Sequence, residues 1–88
     1  MARWRKTLDE VLRATSDQNV DFKDLCKLLD ALGFALRVRG DHHIFTRADV
    51  LEILNIQPKG TKAKAYQVRQ VRDVIVKYKL SGDKDEQS

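Results

Sequence analysis

Eighty-eight residues with a formal charge of +4 make one domain's worth of chain, able to bury one small core. No apolar run approaches the roughly 20 residues of a membrane helix. The opening MARWRKTLDE carries no apolar signal-peptide core, and the single cysteine, Cys26, excludes an internal disulfide framework and a cysteine-based zinc site. The expectation is a soluble protein of a reducing compartment, the cytoplasm, with no membrane contact.

The charge is spread unevenly. Residues 1–58 hold nine basic and nine acidic side chains, which cancel. Residues 59–79 set Lys59, Lys62, Lys64, Arg69, Arg72, Lys77 and Lys79 against Asp73 alone, and the tail SGDKDEQS carries a net −2. A polyanion is drawn to the basic segment; a solvated lysine-rich surface explains the same composition.

Trp4, Leu8, Val11 and Leu12 fall at helical spacing and predict a short amphipathic helix over 3–14. TSDQN reads as a loop. Asp21 is a good N-cap, Asp24 suits the first helical turn, and Phe22, Leu25, Leu28, Leu29 and Leu32 form an apolar stripe that Gly33 ends, so a helix is expected over 22–32. Cys26 beside that stripe reads as a small core residue and not a nucleophile.

After Gly33 the period becomes two: Phe34, Leu36 and Val38 alternate with Ala35, Arg37 and Arg39. HHIFT makes a second strand, and Gly40-Asp41 between them is a two-residue connection with glycine first, a hairpin signal. LEILNIQ predicts a third strand ended by Pro58-Lys59-Gly60. Val68, Val71, Val74, Ile75 and Tyr78 mark a closing helix over 66–79, with Arg69, Arg72 and Lys79 on its exposed face. The last eight residues read as a frayed polar tail. The order helix, helix, three antiparallel strands, helix predicts an α+β two-layer sandwich with the helices on one sheet face.

The two-residue turn sets the fate of His42 and His43, the only histidines. It places Arg39 opposite His42 and Val38 opposite His43, and opposed residues share a face. His43 joins Leu36, Val38 and Phe45 in the core-facing set, packed there with hydrogen bonds to backbone. His42 stands on the other face with Arg37 and Arg39. Neighbouring strand residues do not readily ligate one ion, and no further His or Cys completes a shell, so no metal is expected.

The run DFKDLCKLLDALGFALRVRGDHHIF resembles the N-terminal half of HicA toxins, also called YcfA-like proteins: a leucine-rich helix, a Gly-Phe step, a strand, then Gly-x-His-His-x-aromatic. The resemblance covers about residues 20–80. It implies a double-stranded-RNA-binding-domain-like fold, mRNA cleavage as the toxin of a toxin–antitoxin pair, and a HicB antitoxin as partner. The family's functional histidine lands on His42, the residue that the hairpin register places beside the arginines, and the motif glycine lands on Gly40. Asp41 stands where a small hydroxyl residue is usual, QPKGTKAKA lacks the histidine often found after the third strand, and residues 1–18 have no counterpart in short members. The expected organisation is an N-terminal helical extension over 1–18, a HicA-like domain over 19–80 and a disordered tail over 81–88.

The leading expectation is a metal-independent, cofactor-free endoribonuclease with His42 as the catalytic imidazole. Arg37 and Arg39 would stabilise phosphate charge, and Gly40, Lys59, Lys62 and Lys64 complete the expected RNA-binding set. Two alternatives stay open: a non-catalytic RNA-binding module, and a protein-complex subunit docking through Trp4, Leu8 and Leu12.

Overall fold

The computed structural model describes residues 3–81. The chain runs α1 (Arg3–Arg13), a 3-10 turn (Asp17–Asn19), α2 (Phe22–Ala31), β1 (Ala35–Arg39), β2 (His42–Arg47), β3 (Val50–Ile56), β4 (Pro58–Lys59), β5 (Lys62–Ala63) and α3 (Ala65–Tyr78). Strands β1-β2-β3 form one antiparallel sheet in that order, and the helices line one face of it, giving the expected α+β architecture. The expected tail over 81–88 lies outside the described residues apart from Ser81.

Local chemistry accounts for the element ends. Asp21 caps α2 by accepting the Asp24 N–H at 3.0 Å. At the other end Gly33 adopts φ 92°, letting Phe34 N–H reach Leu29 O and Gly33 N–H reach Asp30 O. Those two bonds satisfy carbonyls that the helix end would otherwise orphan. Lys79 makes the same closure after α3 from a left-handed φ of 54°.

Phe45, Leu54 and Ile56 from the sheet pack against Leu25, Leu28, Leu29, Val68, Val71 and Ile75 from α2 and α3. Fully burying one such side chain stabilises by about 1.5–3 kcal/mol, so this cluster dominates the fold. Trp4 and Leu8 pack against it from α1, leaving Leu12 as the exposed apolar residue of that helix. The amphipathic face of α1 is thereby mostly spent inside the protein's own fold.

Two expectations need correction. Leu36 and Val38 lie on the helix side of the sheet as the register requires, yet they are 51% and 53% exposed. β1 is an edge strand that overhangs the helix layer, so position on the inner face does not deliver burial there. Arg72 is not on a solvent face: its guanidinium bonds both carboxylate oxygens of Asp17 at 2.9 and 3.2 Å and the Val11 carbonyl at 3.1 Å. After the third strand the chain adds an element for which the sequence raised no expectation. β4 and β5 pair as a small hairpin, Pro58 opposite Ala63 and Lys59 opposite Lys62. The hairpin is tied to the start of α2 by Phe22 N–H to Thr61 O and Ala63 N–H to Val20 O.

Candidate functional site

The register of the first hairpin is the expected one: Arg39 opposite His42, Val38 opposite His43, Arg37 opposite Ile44 and Leu36 opposite Phe45. Gly40 makes it possible with φ 61°, the left-handed value that the first position of this turn demands and that costs glycine nothing. A β-carbon on Gly40 would meet open space, so its requirement is conformational and not steric.

On the outer face His42 sits in a polar network with its side chain 45% exposed. Its Nδ1 lies 3.0 Å from Asn55 Oδ1 and its Nε2 lies 3.3 Å from Gln57 Nε2. Gln57 Oε1 accepts from Lys64 Nζ at 3.2 Å. One assignment satisfies all three contacts. Lys64 can only donate, so Gln57 accepts there and donates from its amide nitrogen; His42 Nε2 then accepts, and Nδ1–H donates to Asn55. The exposed Asp41 carboxylate stands 3.9 Å from Nε2, within reach of an imidazolium.

Behind this network is a buried amide. Gln67, 4% exposed, accepts the Gln57 N–H at 2.9 Å and donates to the Asn55 carbonyl at 3.1 Å. The first turn of α3 therefore holds the end of β3 by its backbone, and the two side chains that meet His42 project from that held segment.

His43 faces the other way. Its ring meets Phe22 edge-to-face, centroids 4.9 Å apart, while its buried Nδ1 has no hydrogen-bond partner. The expected backbone bond to that nitrogen is absent, because the sheet backbone around it is already paired across β1 and β3. His43 also lines a largely apolar groove of about 730 Å³ under the β1 edge, with Phe22, Cys26, Leu36 and Pro58. Burial, with the Asp21 charge assisting, pushes the Cys26 thiol up to about 11, so it stays protonated near neutral pH and is a poor nucleophile.

The structure brings Arg37, Arg39, Gly40, His42 and Lys64 to one region, directly or through Gln57. Lys59 and Lys62 stand opposite each other on the β4–β5 hairpin, exposed, and share no bond with the His42 network. Among the described residues no group of three or more His, Cys, Asp and Glu side chains is arranged to hold a metal ion. Asn55, Gln57 and Gln67 carry no motif that marks them in the sequence. Alternation along the third strand is the one available signal, since it puts Asn55 on the face opposite Leu54 and Ile56.

A family model described as the HicA toxin of bacterial toxin–antitoxin systems matches residues 22–80, from the first residue of α2 to just past α3. No curated protein and no solved structure matches the chain. The match leaves α1 and the 3-10 turn outside it.

Proposed function

The chain belongs to the HicA toxin family of bacterial toxin–antitoxin pairs, and from that premise we propose that it is a metal-independent endoribonuclease acting on mRNA in the cytoplasm through His42. The observation that carries this reading is the placement of His42: a half-exposed imidazole on the outer sheet face, paired in register with Arg39, with Arg37 one row away on the same face. Membership of the family implies a cognate antitoxin. No helix among the described residues is long and apolar enough to cross a membrane.

RNA supplies its own nucleophile. His42 Nε2 takes the 2′-OH proton, the 2′-oxygen bonds to the adjacent phosphorus, and the bond from phosphorus to the 5′-oxygen breaks. A proton returned to that oxygen completes the step. Arg39 and Arg37 offset the negative charge that accumulates on the phosphorane oxygens. No second imidazole stands on this face, so acid and base roles fall to one histidine and turnover is slow. Lys59 and Lys62 grip phosphates away from the scissile bond. A HicB-like antitoxin of acidic surface silences the enzyme by covering Arg37, Arg39 and His42.

Cleavage of a long RNA in excess EDTA tests the chemistry. The expected products end in a 2′,3′-cyclic phosphate, and RNA with 2′-O-methyl groups resists. Activity that vanishes with EDTA, or persists on 2′-O-methyl RNA, overturns the mechanism.

A further inference from the structure

We propose that Asn55 and Gln57 form an amide clamp that holds His42 in a single tautomer, with Asn55 the positioning residue and Gln57 a displaceable cap on the reactive nitrogen. The proposal rests on the reading of His42 as the catalytic base and adds to it the groups that set its orientation.

A base that takes a proton through Nε2 must carry its own hydrogen on Nδ1, the tautomer that a free neutral imidazole favours less. Asn55 Oδ1 at 3.0 Å from Nδ1 can only accept, so it selects the Nδ1–H form and fixes the ring plane. The acceptor is a neutral amide. It orients the ring without the added charge of a carboxylate, which would stabilise the imidazolium. On the far side, the Gln57 amide nitrogen meets Nε2 at a long 3.3 Å, weak enough for a 2′-OH to displace.

Gln57 does not stand alone: its Oε1 holds the Lys64 ammonium at 3.2 Å, and its backbone N–H is fixed by the buried Gln67. When RNA displaces the cap, the Gln57 amide and Lys64 are already beside the reacting phosphate. Lys64 then acts at the scissile bond, in contrast to Lys59 and Lys62.

Nitrogen-detected NMR of the histidine ring tests the clamp without any RNA. Above the imidazole titration, His42 is expected as Nδ1–H with a bare Nε2, and Asn55→Ala is expected to shift it toward Nε2–H. A parent protein in the Nε2–H form, or an unchanged tautomer in Asn55→Ala, overturns the proposal. Kinetics supply the second readout. Asn55→Ala should lower kcat about ten- to a hundredfold with KM little changed, less than the ~10²–10⁴ that a general base contributes.

Asn55→Asp should restore the Nδ1–H form and move the acidic limb of the pH–rate profile upward. Arg37, Arg39 and Lys64 oppose that shift and Asp41 supports it. A profile that stays in place shows that position 55 does not bear on the ring and sinks the proposal. The clamp and the nuclease reading fail separately. A His42→Ala variant that cleaves like the parent removes the catalytic reading, while the tautomer measurement still decides the clamp.

Discussion

The two faces of the sheet give adjacent histidines opposite surroundings. On the outer face His42 is bracketed by Asn55 and Gln57 and half open to solvent. On the helix side His43 lies edge-on to Phe22 with a buried nitrogen that nothing satisfies. Strand alternation alone separates them. A His-His pair in a strand is thus two unrelated positions: one is held among polar neighbours at the surface, the other is a ring packed on an aromatic neighbour with a nitrogen left unsatisfied.

Removing each ring in turn tests this contrast most severely. His42→Ala should reduce RNA cleavage by about 10²–10⁴-fold and change stability by no more than about 0.5 kcal/mol, with RNA binding retained through Arg37, Arg39 and the lysines. Normal cleavage by this variant would end the assignment to His42. His43→Ala should lose about 0.5–1.5 kcal/mol with the Phe22 ring interaction and keep its activity per folded molecule. His43→Phe should melt at or above the parent temperature, because it retains a ring and discards the unsatisfied nitrogen.

The next largest effect lies behind the outer face. Gln67→Ala leaves the Gln57 N–H and the Asn55 carbonyl without their partner, at about 1–3 kcal/mol each. Denaturant midpoints should fall accordingly, and cleavage should weaken as the clamp residues lose their backbone support. Gln67→Glu keeps the acceptor for Gln57 and loses the donor to Asn55, so it should fall between. A Gln67→Ala protein as stable as the parent would show that α3 does not hold this end of the sheet.

A smaller effect separates grip from chemistry. Replacing Lys59 and Lys62 together with Ala should flatten the fall of RNA affinity with salt and leave kcat intact. The log–log slope should shrink by about one for each phosphate that is no longer neutralised. Lys64→Ala should lower kcat as well. If all three lysines behave alike, Lys64 has no special place beside His42.

The smallest effect belongs to the far end of β3 and α3, where the link is charged. Glu52 accepts from Lys77 at 2.9 Å and from the Tyr78 hydroxyl at 2.7 Å, and these bonds hold its carboxyl down at about 2 from its ordinary 4.5. A carboxylate lowered on folding adds stability above its unfolded value, and that increment is lost as pH falls from about 4.5 toward 2. The melting difference between the parent and Glu52→Gln should be constant at neutral pH and shrink across that window. A difference that persists below it would have another origin.

Much of this fold is written locally in the chain. Asp21, the leucine stripe and Gly33 specify α2, and Gly40-Asp41 fixes the hairpin register that sends His42 outward. Two kinds of information are not local. Burial of Leu36 and Val38 depends on whether a helix reaches over the edge strand, which alternation does not encode. The partners of His42 come from β3, whose register is irregular between Phe45 and Arg47, so turn chemistry alone does not align Asn55 with the site. Arg72 resembles a solvent-facing cation in the sequence because its partner, Asp17, lies 55 positions away.

That distant pairing has a consequence for how the molecule opens. Arg72 joins the last helix to the carbonyl of Val11 near the end of α1 and to the turn after it, across 61 and 55 positions, with side chains of the ion pair only 17% and 14% exposed. Contacts of such sequence separation form late and at a loop-closure cost, but once made they couple the segments they join. The segment from α1 to the 3-10 turn is therefore tied to the last helix and is expected to open together with it. A protein cut back to residues 22–80 would lose the Arg72 partner and the Trp4, Leu8 and Val11 packing together, and its amides in α3 should exchange with solvent far sooner than those of the full chain.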